Sequence, residues 1–104
     1  MPPPSLSTEQ RRAASAKAVA NRRRRAEVKE QLRTGQLTWP GLIAIADTDE
    51  VVAALRVQEA LLCLPGVGPQ RLNRFMKSAS VSPSRRLRGL GPHQIATLTQ
   101  ALAR

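Results

Sequence analysis

Aromatic residues are scarce in this 104-residue sequence: Trp39 and Phe75 stand alone, and tyrosine is absent. Runs of β-branched residues alternating with polar ones are also missing, which argues against a sheet and leaves an all-α chain. A single cysteine, Cys63, excludes an internal disulfide framework and a cysteine zinc site, in keeping with a reducing cytoplasm. No apolar stretch approaches the roughly 20 residues that span a bilayer, so no membrane partner is expected. The opening MPPPSLSTEQ lacks the apolar region of a secretory signal. The Ala/Arg/Ser-rich segment behind it loosely resembles a transit peptide, but Glu9, Glu27 and Glu30 argue against one. The most telling absence is acid. Residues 65–104 hold seven basic residues and no carboxylate.

That gap shapes the charge balance. Net charge is +10, and arginine supplies 14 of the 17 basic residues. Residues 1–36 carry nine basic residues against three glutamates, and residues 37–64 carry only Arg56 against Asp47, Asp49, Glu50 and Glu59. A 40-residue acid-free segment points to a polyanion, with nucleic acid foremost. Arginine in preference to lysine suits forked contacts to phosphates and base edges.

Glycine and proline mark out the helices. Residues 1–7, with three prolines, read as a disordered or extended lead-in. Ser7 and Gln10 form a capping box, and no glycine or proline interrupts the chain from there to Gly35. Residues 8–34 therefore read as a basic N-terminal helix. Val28 and Leu32 are its first convincing buried pair, so its C-terminal third anchors it while the earlier turns project. Residues 35–104 form the compact helical domain. Helices are expected from Thr38–Pro40, from Thr48 or Asp49, over Val57–Leu64, from Pro69, and from Pro92 with Ile95, Leu98 and Leu102 buried.

Two stretches carry the functional signal. LPGVGPQRL (64–72) and LRGLGPHQI (87–95) share one form, L-x-G-[VL]-G-P-x-[RQ]-[LI]. Each reads as a glycine turn opening onto a proline-started helix, where backbone N–H groups and the positive helix end favour a phosphate. Arg71 and Arg74 follow the first turn on one helical face, and Arg85, Arg86 and Arg88 precede the second. A lone Gly-x-Gly is most often a plain turn. Two of them, bracketed by arginines in an acid-free segment, favour phosphate contact.

This pattern resembles the helix-hairpin-helix and helix-two-turns-helix DNA-binding modules. RAEVK (25–29), ALLCLPGVGPQRLNRFM (60–76) and SRRLRGLGPHQIA (84–96) resemble the actinobacterial integration host factor family more closely, from about Leu6 to Leu102. The resemblance implies a long N-terminal helix followed by an S13-like helix-two-turns-helix domain. It also implies a nucleoid-associated protein that binds and bends double-stranded DNA with little sequence preference, serving chromosome organisation and phage integration. The partners expected are duplex DNA and a phage integrase on DNA, with the protein itself a monomer of the nucleoid. By position, Pro65, Gly66, Val67 and Gly68 approach a phosphate backbone. Arg85, Arg86 and Arg88, with Gly89 and Gly91, lie on the DNA at the minor groove. One departure stands out: Pro69 occupies the place where the family usually has lysine, which weakens the side-chain part of the first site.

Other residues have plainer readings. Arg22, Arg23, Arg24 and Arg25 splay at about 100° per residue, so they divide between a solvated face and a second, weaker DNA contact. Trp39 reads as a core anchor, with base stacking as the alternative, and Cys63 as core packing. His93 has no nearby partner for metal or acid–base work. Asp47, Asp49, Glu50 and Glu59 read as caps and a face turned away from DNA, without metal-ligand spacing. No catalytic residue, cofactor or metal site is expected. A ribosome-associated RNA-binding role uses the same module and is the main alternative. A helix-hairpin-helix glycosylase needs a catalytic Asp in a sizeable pocket, which this short chain does not offer.

Overall fold

The computed structural model describes residues 7–103, and within them the fold is all helical. Six α-helices follow in order: α1 Thr8–Thr34, α2 Trp39–Ala46, α3 Glu50–Ala53, α4 Val57–Cys63, α5 Pro69–Ser78 and α6 Pro92–Leu102. A 3₁₀ turn over Leu87–Gly89 precedes α6. The lead-in expected before Ser7 lies outside the described residues.

Local chemistry sets the helix ends. Ser7 Oγ accepts from the Gln10 amide at 3.1 Å, while Gln10 Oε1 accepts from the Ser7 amide at 2.8 Å. At the other end of α1, Gly35 takes a left-handed conformation (φ 81°) that closes the last turn. Thr38 caps α2 through the Gly41 amide, with Pro40 in the first turn. Of the two caps considered for α3, Asp49 is the one used: its Oδ1 accepts from Val51 and Val52. Leu64 is extended rather than helical, so α4 ends one residue before the expected limit. The serine-rich break after α5 contains a surprise. Ser80 adopts a left-handed conformation (φ 54°), the place where a glycine costs least. Its neighbour Val81 closes the turn by donating to Met76 O at 2.9 Å.

Residues Val28, Leu32, Leu42, Val52, Val57, Leu61 and Leu98 form a water-free centre. Because α1 contributes only Val28 and Leu32 to it, residues 8–20 all lie on the exposed surface, and the molecule extends 56 Å along its long axis. Ion pairs reinforce the anchored end: Arg24 Nε meets Asp49 Oδ2 at 3.1 Å, and Lys29 Nζ meets Glu59 Oε2 at 3.5 Å. The Arg24 hydrogen bond, helped by the Val52 and Val51 amides, holds the Asp49 carboxyl below its ordinary range. Trp39 is 3% exposed and donates Nε1–H to Thr99 Oγ1 at 3.2 Å, linking α2 to α6. That burial removes it from base stacking. Cys63 is buried in the core as expected, while Ile95 and Leu102 are only partly covered.

Candidate nucleic-acid interface

The first glycine motif forms a braced turn. Val67 is buried and its amide donates to Leu64 O at 3.2 Å, which pins the turn to the core. Gly66 is left-handed (φ 79°), a conformation costing any other L-residue about 1–2 kcal/mol. Arg71 reaches back: Nη1 donates to Gly66 O at 3.0 Å, and the guanidinium lies 5.2 Å over the Phe75 ring. Arg71 thus braces the turn, whereas Arg74 one turn later is exposed. The two share a helix side, as their spacing predicts, but differ in what they hold. Arg71, Pro65 and Val67 also wall an apolar groove of about 340 Å³ with Trp39 and Leu102.

Gly68 is different in kind. It is extended (φ −98°, ψ −179°), a conformation open to any residue, and a Cβ built there meets nothing within 4 Å. The fold therefore does not need glycine at 68. With no side-chain cap on α5, its first-turn amides and the positive end of its dipole are left without a side-chain partner.

The second motif reproduces only half of this geometry. Gly91 is extended like Gly68, and a proline again starts the helix. The entry into it, however, is the 3₁₀ turn rather than a left-handed glycine, and Gln94 Oε1 already accepts from the Gly91 amide at 3.0 Å. Gln94 is in turn held through Nε2 to Ser80 O at 3.1 Å. The two motifs therefore share a form but differ in detail: Gln94 takes the Gly91 amide in the second, while neither α5 nor α6 has a side-chain cap on its first-turn amides.

Arg85, Arg86 and Arg88, near neighbours in sequence, diverge in space. Arg85 folds over Gly89, donating Nη1–H to its carbonyl at 3.0 Å, and a Cβ at Gly89 would come within 2.9 Å of Arg85 Cδ. Arg86 turns toward the α3–α4 junction and donates to Ala54 O at 2.6 Å. Arg88 lines a concavity with Asp47, Thr48 and Glu50. The acidic zone is therefore not wholly turned away from the arginine loop, because two of its carboxylates share a hollow with Arg88.

The α1 arginines divide as their 100° spacing requires. Arg24 is committed to Asp49 and to Glu27 at 3.1 Å. Arg22 and Arg23 are exposed, and Arg25 is half-buried beside the α3–α4 junction. Sequence reasoning missed Arg56, which joins Arg25 and Arg86 there. Its one signal was being the sole base in an acidic segment. His93 is exposed, and among the described residues no group of three His, Cys, Asp or Glu side chains is placed to hold a metal. No helix in them is long and apolar enough to cross a membrane.

Residues 32–102 match the S13-like H2TH domain family. The integration host factor of Mycolicibacterium smegmatis is 41% identical over 97 residues, covering 93% of this chain and 92% of that protein. This chain belongs to the actinobacterial integration host factor family. The Streptomyces coelicolor integration host factor is 43% identical over 95 residues, covering 91% of this chain and 89% of its own. Among solved structures, sIHF bound to an 8bp palindromic DNA superposes with a TM-score of 0.77 at 40% identity. That match covers 82% of this chain and 96% of sIHF.

Proposed function

We propose that this chain is an architectural protein of the nucleoid that binds duplex DNA with little sequence preference, bends it and catalyses nothing. The observation that carries the reading is the superposition on a DNA-bound relative over most of the chain. The charge distribution supports it, with an acid-free C-terminal segment beside an open helix end. Pro65, Gly66, Val67 and Gly68 form the turn that meets one phosphate track, with the Gly66 and Gly68 amides as its donors because Val67 N–H is held by Leu64 O and proline has none. Arg74 lies beside them and Arg71 holds the turn in shape. Arg85, Arg86 and Arg88, carried with Gly89 and Gly91, supply the cationic side chains, and deformation of the duplex is offset by the contacts it permits. Arg22, Arg23 and Arg25 add a weaker electrostatic contact. The protein acts as a monomer in the cytoplasm, and a phage integrase meets it on DNA rather than in free solution.

Binding dominated by phosphates has a defined salt signature. If about six phosphates are neutralised, log K falls with log salt at a slope near −5. Competition between unrelated duplexes and a structured RNA at matched salt tests the reading. Duplexes of different sequence competing equally, and RNA poorly, is the expected result; preferential binding of RNA overturns it in favour of the ribosomal alternative. A sharper probe is Gly68→Ala. Since the fold leaves room there, the substitution costs under about 1 kcal/mol of stability. A methyl group on the face that meets the phosphate weakens duplex binding several-fold, read by fluorescence polarisation beside a thermal melt. Unchanged affinity would remove the turn from the interface.

A further inference from the structure

A second cationic centre lies away from the glycine turn, at the junction of three elements. A concavity of about 430 Å³ is lined by Arg25 of α1, Ala54, Leu55 and Arg56 of the α3–α4 junction, Glu59 of α4, and Arg86 of the arginine loop. Backbone pairing places two of these arginines directly opposite each other. Arg56 and Arg86 form an antiparallel bridge, flanked by Val57 N–H to Arg85 O and Leu87 N–H to Leu55 O, both 2.9 Å. That pattern makes them a non-hydrogen-bonded pair, the closer of the two antiparallel arrangements, with both side chains on one side. Like charges placed directly opposite each other destabilise such a pair.

The surroundings do not neutralise it. Glu59 is the one carboxylate in the lining, and Lys29 already takes it at 3.5 Å. Neither Arg25 nor Arg56 has an ion-pair partner among the described residues, and Arg86 is fixed by Ala54 O. Three arginines from separate parts of the chain thus line one hollow. A cluster of this kind is at its best with an anion between its members, since forked donors to phosphate oxygens are strong and directional. Arg22 precedes Arg25 by three residues on α1, so the positive stripe continues beyond the hollow. A stripe suits a continuous polyanion better than a small free ion.

We infer that Arg25, Arg56 and Arg86 form a clamp for a backbone phosphate of duplex DNA, separate from the glycine turn and continued along α1 by Arg22. This rests on the duplex-binding reading above. The test is the salt dependence of duplex affinity for wild type, R25Q/R56Q and the charge-matched R12Q/K17Q on the projecting part of α1. The clamp variant is expected to bind roughly tenfold more weakly at about 150 mM salt and to lose about 1 from the slope's magnitude, one phosphate contact. Without DNA it should melt no lower than wild type, because it relieves repulsion and removes no hydrogen bond. The control should keep the wild-type slope.

Several results would overturn the clamp. A wild-type slope in R25Q/R56Q does so, and so does an equal change in the control, which would be a net-charge effect. Tripolyphosphate that raises the melting temperature of wild type but not of R25Q/R56Q, with the DNA slope unmoved, replaces DNA by a free anion. Failure of wild type itself to bind any duplex defeats the parent reading as well, and is thereby distinguished from failure of the clamp alone.

Discussion

Replacing Arg85 and Arg86 together by alanine is expected to lower duplex affinity about a hundredfold at roughly 150 mM salt, with the fold intact. A hydrogen bond to a charged group contributes about 1.5–3 kcal/mol, and two such contacts give a loss of that order or more. The two arginines also brace their own loop, through Gly89 O and Ala54 O. Both are solvent-exposed, so water replaces them at those carbonyls. Two exposed hydrogen bonds together account for about 2 kcal/mol at most, a fall of roughly 10 °C in melting temperature. Binding measured well below that temperature separates the two effects. Because Arg85 and Arg86 point to different places, the single variants should be unequal in character. Arg86→Ala should act together with R25Q/R56Q, while Arg85→Ala should add to it independently. Gel-shift affinity that is unchanged in the double variant would remove the arginine loop from the interface.

Much of the fold was legible because it depends on local signals. Ser7 with Gln10, Gly35, Thr38 with Pro40, Asp49, Pro69 and Pro92 each fix a helix end by chemistry confined to a few residues. The α1 anchor was equally readable from Val28 and Leu32. What sequence could not show was where neighbouring arginines go. Arg85, Arg86 and Arg88 look equivalent on paper, yet a backbone bridge to Arg56 turns the middle one toward α1. The two glycine motifs also look alike, but of their glycines only Gly66 is left-handed, and Gln94 folds back onto the Gly91 amide of the second. Both differences come from contacts between residues far apart in sequence or from a side chain folding back. Neither leaves a mark in composition or spacing. Arg56 illustrates the same limit, since its importance arises only once residue 86 is placed opposite it.

Leu32→Ala should be strongly destabilising and should loosen α1 in particular, because that helix is held by so little. Leu32 is fully buried, and with Val28 it makes up the buried residues that α1 gives to the core. Truncating a buried leucine costs about 2–5 kcal/mol through lost transfer energy and the cavity left behind. A domain of this size has about 5–15 kcal/mol in total, so the melting temperature should fall by roughly 10–25 °C. Thermal melts followed by circular dichroism measure this directly. The same substitution type on the projecting half, Val19→Ala, should shift stability by no more than about 0.5 kcal/mol. Val19 is 38% exposed and meets no core. The contrast also bears on binding. Arg25 sits seven residues before Leu32, two turns along the same helix, so a loosened anchor lets Arg25 drift from Arg56 and Arg86. Leu32→Ala, assayed while still folded, should therefore show part of the reduced salt slope of R25Q/R56Q, whereas Val19→Ala should show none. Equal melting of the two variants would mean that α1 is held to the domain by its ion pairs to Asp49 and Glu59 instead of by its buried pair.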